Sequence, residues 1–103
     1  MSVIMTLELP GDPKGLEEFA NANRDKMQAV LDAAKRHGLI AHRFYGADGQ
    51  IMVVDEWPDP ESFQRFFAAE QDTIGPMMEQ VATSEPEIIF WNKLETGDDV
   101  GWG

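Results

Sequence analysis

The sequence has no cysteine. Disulfide stapling and thiol chemistry are therefore excluded. No apolar run approaches the ~18 residues of a membrane span, and no basic-then-apolar leader opens the chain. Basic residues are scarce: Lys and Arg number 8 against 19 Asp and Glu, for a formal net charge of −11. That sign repels phosphates, so nucleic acid and anionic membrane are poor partners. The same acid-rich surface also serves solubility. Histidine occurs only twice. No helical His/Glu cluster accompanies it, so the convergent ligands a metal needs are lacking. Ser2, Ser62 and Ser84 sit in no elbow-like glycine context, and no phosphate-cradling glycine loop occurs. The expected location is the cytoplasm, and no cofactor is expected.

What is present is a 103-residue chain with 43% apolar residues, enough for one ordered domain. Ser2–Leu9 reads as a strand that Pro10-Gly11 ends. Asp12 before Pro13 is an N-cap followed by proline at the first helical position. A helix over 13–37 follows. Its apolar stripe runs through Leu16, Phe19, Met27, Val30, Leu31 and Ala34, with Lys35, Arg36 and His37 at its negative end and Gly38 as its cap. Asn23 falls inside that stripe.

Leu39–Tyr45 and Gln50–Trp57 read as two strands joined at Ala47-Asp48-Gly49, which suits a turn closed by a glycine bulge. Asp59-Pro60 repeats the cap-plus-proline signal, and a second helix buries Phe63, Phe66 and Phe67. Gly75-Pro76 should break it. Met77, Met78 and Val81 suggest a short continuation to about Ala82. Glu87–Leu94 is a fourth strand. The domain is expected to span 1–95, with 96–103, including Trp102, as a flexible tail.

The order βαββαβ predicts an α+β, ferredoxin-like layout: a four-stranded antiparallel sheet with the helices on one face. The strands are too apolar for a sheet with one wet face, which should alternate. Val3-Ile4-Met5, Ile51–Val54 and Ile88–Trp91 are oily on both sides. Each large apolar side chain gains ~1.5–3 kcal/mol on burial, so leaving five or six wet forgoes on the order of 10 kcal/mol. A second copy packed sheet to sheet is the simplest cover, which predicts a homodimer.

The pattern over about residues 3–95 resembles the dimeric α+β barrel superfamily, and within it the antibiotic-biosynthesis monooxygenase-like group. The resemblance is carried by Pro10-Gly11, by Gly38 before the second strand, and by Val54-Asp55-Glu56-Trp57 ahead of an acidic helix start with Phe63. It implies two sheets closing into a central barrel, with a small pocket between helices and sheet in each subunit. It also implies oxidation of apolar, aromatic or polyketide-like molecules without metal or flavin. Trp57 matches the strand-end tryptophan of the polyketide oxygenases. The asparagine those enzymes carry four residues earlier is Val53 here, and no Lys or Arg follows Arg65 before Lys93 to match their helical arginine. Haem-degrading members use a tryptophan and a histidine on the second helix. Phe66 stands near that tryptophan position, and no His follows His42.

A bulged turn would place Arg43, Tyr45, Asp55 and Trp57 on one sheet face and Ile40, His42, Phe44, Met52, Val54 and Glu56 on the other. On that reading Arg43 holds an anionic or enolate oxygen, Tyr45 donates a hydrogen bond and Asp55 orients Arg43 or accepts a proton. The alternative is a structural ion pair at a rim or interface. His42 reads either as a general base or as a structural residue, with no carboxylate partner identifiable. Asn23 must find partners for its amide, in a pocket or on a loop backbone. The candidate catalytic set is therefore Trp57, Asn23, Arg43 and Tyr45, and the candidate ligand-binding set is His42, Asp55, Phe63, Phe66 and Met77. A non-catalytic dimer that holds a small apolar ligand, or a stress-associated dimer with none, are the competing readings.

Overall fold

The computed structural model describes residues 1–81 and 84–101. Four strands, β1 (Val3–Pro10), β2 (Ala41–Ala47), β3 (Gln50–Trp57) and β4 (Glu87–Trp91), form one antiparallel sheet in the order β2-β3-β1-β4. Helices α1 (Pro13–Ala22) and α2 (Arg24–Arg36) connect β1 to β2, and α3 (Pro60–Ala69) and α4 (Gln71–Val81) follow β3. This is the ferredoxin-like α+β layout expected from the element order. Among the described residues no helix is long and apolar enough to cross a membrane.

The caps are where the sequence puts them. Asp12 accepts the Lys14 N–H at 3.1 Å, and Asp59 accepts the Ser62 N–H at 2.7 Å, each ahead of a proline-led helix. Gly38 takes φ 108° and closes α2, with the Leu39 N–H reaching the Ala34 carbonyl at 3.0 Å. Gly46 is needed for closeness rather than for a special φ. A Cβ there would lie 2.7 Å from Cβ of Pro13, so β2 and the start of α1 touch at this point.

Three expectations are corrected. The helix expected over 13–37 is two helices, because the Asn23 side-chain amide donates to the Phe19 carbonyl at 2.9 Å. The Asn23 backbone N–H turns to Ala20 instead, at 3.3 Å, and φ −129° with ψ 43° breaks the helix. The second break falls at Glu70 rather than at Gly75-Pro76, and Pro76 lies inside α4. The expected end of that helix near Ala82, and Trp102 in the tail, lie outside the described residues.

The third correction concerns the β2–β3 hairpin. Ala47 pairs with Gln50, so the connection is the two residues Asp48-Gly49, with Gly49 at φ 72°, and there is no bulge. The register therefore moves by one residue, which flips faces. His42 lies opposite Asp55 and Phe44 opposite Val53, on the helix side, while Arg43 and Tyr45 face away.

The core sits between the sheet and the helices. Val3, Met5, Leu7 and Leu9 of β1, Ile51 and Trp57 of β3, Ala33 and Ala34 of α2, and Phe63 and Phe66 of α3 are buried. The opposite sheet face carries Ile4, Tyr45, Met52, Val54, Ile89 and Trp91 interleaved with Thr6, Glu8, Arg43 and Glu56. Among the described residues nothing covers it, and Tyr45 and Trp91 stay 46% and 49% exposed.

Candidate functional site

Between the inner sheet face and all four helices lies a cavity of about 160 Å³. Apolar cavities of ~150 Å³ take up a benzene-sized guest, so one aromatic ring fits. Its walls are Met5, Leu7, Ile51 and Val53 from the sheet, Leu16 and Phe19 from α1, Met27 and Val30 from α2, Phe63 and Phe66 from α3, and Ile74, Met77 and Met78 from α4. Phe44 is also on the wall and is 40% exposed, so chamber and solvent meet there.

Among the described residues two polar side chains line this chamber, His42 and Asp55. They are hydrogen-bonded, Nδ1 to Oδ1, at 2.7 Å, with side chains 26% and 8% exposed. The other Asp55 oxygen accepts the Trp57 Nε1–H at 3.1 Å. Trp57 is fully buried behind the chamber, 5.7 Å from the Phe63 ring and 5.5 Å from that of Phe66. Phe44 meets the imidazole edge-on at 4.9 Å. The strand places all three polar groups on one face: Asp55 and Trp57 are two residues apart, and His42 is the cross-strand neighbour of Asp55.

The chemistry follows from donor and acceptor types. An ionised carboxylate only accepts and an indole N–H only donates. Asp55 held by Trp57 thus requires a proton on His42 Nδ1, and in the neutral ring this leaves the lone pair on Nε2. Burying the carboxylate is tolerable because both oxygens are hydrogen-bonded. Among the described residues no buried side-chain polar atom lacks a partner.

His42, Asp55, Phe63, Phe66 and Met77 all come together on the chamber wall. The other four candidates do not join them there. Trp57 stands behind Asp55 as its donor. Asn23 is engaged with the Phe19 carbonyl and is not on the wall. Arg43 donates to the Tyr45 hydroxyl at 3.1 Å on the opposite sheet face, so the expected Arg43–Asp55 pairing is absent. The His42–Asp55 pair itself was missed. The signal lay in Asp48-Gly49, which as a two-residue turn sets His42 across from Asp55.

No family model matches this sequence, and no curated protein does. Solved structures do match, and they define the class as ferredoxin-like α+β, the fold of antibiotic-biosynthesis monooxygenase-like proteins. SnoaB, a cofactor-independent oxygenase from Streptomyces nogalater, superposes with a TM-score of 0.65 at 15% identity, over 95% of this chain and 98% of that one. A monooxygenase from Streptomyces coelicolor, solved in complex with the ligand Nanaomycin D, gives 0.64 at 11% identity over 92% and 89%. A dimeric ferredoxin-like protein from an uncultured marine organism gives 0.66 at 13% identity over 91% and 89%. At these identities the likeness establishes the fold.

Proposed function

We propose that the protein binds a small apolar, aromatic molecule in the helix–sheet chamber and promotes its oxidation by dioxygen without metal or flavin. The observation that carries this reading is an apolar chamber with one polar pole, the His42–Asp55 pair. Phe63, Phe66 and Met77 hold the ring, and the polar pole orients its substituent. Desolvation in the chamber strengthens that single polar contact. Electrons come from the substrate: a ring methylene loses both hydrogens, one oxygen atom becomes the new carbonyl, and the other leaves as water. The names of the Streptomyces neighbours support this class of chemistry.

The working unit in this reading is a homodimer joined through the outer sheet faces. Ile4, Tyr45, Val54 and Trp91 supply apolar contact, and Arg43 and Tyr45 act at that interface rather than in the chamber. The dimeric neighbour supports self-association.

One observation favours a second reading, in which the protein binds the ligand without turning it over. Val53, on the chamber wall, stands where the polyketide oxygenases carry an asparagine. Dioxygen uptake with a panel of dihydroxy-aromatic and anthrone-like compounds separates the two. The oxygenase reading expects uptake equal to substrate consumed, lost in His42→Phe. Saturable binding of the same compounds without uptake contradicts it and leaves the binding protein.

A further inference from the structure

We propose that His42 Nε2 is the proton acceptor for an acidic hydroxyl on the ligand, so that the chamber selects phenols and hydroxylated fused rings over plain hydrocarbons. The inference deepens the chamber reading above and rests on it. Asp55 fixes the proton on Nδ1 because Trp57 occupies its other oxygen and the carboxylate has no hydrogen to give. Nε2 therefore offers a lone pair, and among the described residues the remaining wall is apolar. Among the described residues a ketone or ether finds no donor at this pole. A carboxylate would sit beside Asp55 with no cation on the wall among the described residues. A neutral ligand whose hydroxyl donates satisfies every group.

The transfer balances within the site. The ligand O–H bond breaks, its proton goes to Nε2, and the electron pair stays on the oxygen. The imidazolium is held by the Asp55 carboxylate, and the summed charge of His42, Asp55 and ligand does not change. The resulting aryloxide is the electron-rich form on which dioxygen chemistry depends. Asp55 and Trp57 are positioning residues in this scheme, and His42 is the group that touches the ligand.

The test uses 4-nitrophenol, whose ionised form absorbs in the visible, against its same-shaped analogue 4-nitrotoluene. Titrations are run at a pH where free nitrophenol is mainly neutral. An apolar cavity alone would raise the phenol pKa and suppress the ionised band. The expected result is the opposite: the band grows as protein is added, and nitrophenol binds about tenfold or more tighter than nitrotoluene. In Asp55→Asn the side-chain amide donates to Nδ1 and moves the imidazole proton to Nε2. Nitrophenol then binds without ionising and its advantage disappears. Equal binding of the two compounds with no ionised band in the wild type overturns the proposal and leaves the chamber reading standing. Binding of neither compound overturns both. An ionised band that persists in Asp55→Asn overturns the assigned roles. Long-range 15N–1H spectra of the ligand-free wild type at neutral pH add a check that needs no variant. A proton on His42 Nδ1 and none on Nε2 is expected, and the reverse contradicts the proposal.

Discussion

Replacing Trp57 by Phe is the perturbation whose size the structure sets most closely. The indole is fully buried and makes one hydrogen bond, from Nε1 to Asp55 Oδ2 at 3.1 Å. A hydrogen bond to a charged group contributes ~1.5–3 kcal/mol, and its loss here leaves a buried carboxylate oxygen short of a donor. Packing against Phe63 and Phe66 largely survives, since a phenyl ring fills much of the indole's space, so the residual void adds about 1 kcal/mol. The total is about 2.5–4 kcal/mol, within the ~5–15 kcal/mol stability of a typical domain, so the variant stays folded. With a urea slope of about 1.5 kcal/mol per molar, the midpoint falls by roughly 1–3 M. The assay is urea unfolding followed by far-ultraviolet circular dichroism, at one fixed protein concentration because self-association adds to apparent stability. The cycle with Asp55→Leu isolates the contact. Once the acceptor is gone, Trp57→Phe should cost at least ~1 kcal/mol less than in the wild type. Additivity within ~0.5 kcal/mol would mean that the Trp57–Asp55 bond does not anchor the carboxylate.

Three other outcomes are expected. Gly46→Ala forces a Cβ to 2.7 Å from Cβ and 2.9 Å from Cγ of the stiff Pro13 ring, so it should cost ~1–3 kcal/mol by thermal unfolding; an unchanged midpoint would deny the close approach of β2 and α1. Asp59 is held below its ordinary 3.8 by the Ser62 side chain first and the Ser62 N–H next, with Arg65 adding to the effect. A depressed carboxylate contributes stability that is present above 3.8 and lost as pH falls through its folded value. Wild type should therefore lose stability more steeply below about pH 4 than Asp59→Asn, which keeps a capping oxygen but does not titrate, and parallel pH profiles would count against this cap. Val54→Glu puts a charge at the centre of the uncovered sheet face and should convert a wild-type dimer to a folded monomer in sedimentation velocity; a dimer that persists would place the interface elsewhere.

The parts of this fold that were legible in the sequence are those set by local chemistry. Asp12-Pro13 and Asp59-Pro60 announce helix starts because a carboxylate acceptor and a preset φ act within one turn. Gly38 announces a helix end for the same kind of reason. The parts that were not legible depend on competition between bonds. Asn23 reads as a polar intrusion in one long helix until its amide is seen to take the Phe19 carbonyl from the backbone. The break at Glu70, with Pro76 tolerated inside α4, likewise has no strong local marker. The hairpin mattered most for the site. Ala47-Asp48-Gly49 is compatible with two connection lengths, and a slip of one residue exchanges the faces of a strand. That slip separates Asp55 and Trp57 from His42 and pairs them with Arg43 and Tyr45. The aromatic wall was easier to read, because Phe63, Phe66 and Met77 belong to helical stripes whose inner side does not depend on sheet register.

The most direct test of the chamber as a functional site is a crystal structure of the protein soaked with 4-nitrophenol. The ring is expected between the sheet and Phe63, Phe66 and Met77, with its phenolic oxygen within hydrogen-bonding distance of His42 Nε2. A chamber that stays empty at saturating nitrophenol, or a ring seated there with its oxygen turned away from His42, would contradict the assignment.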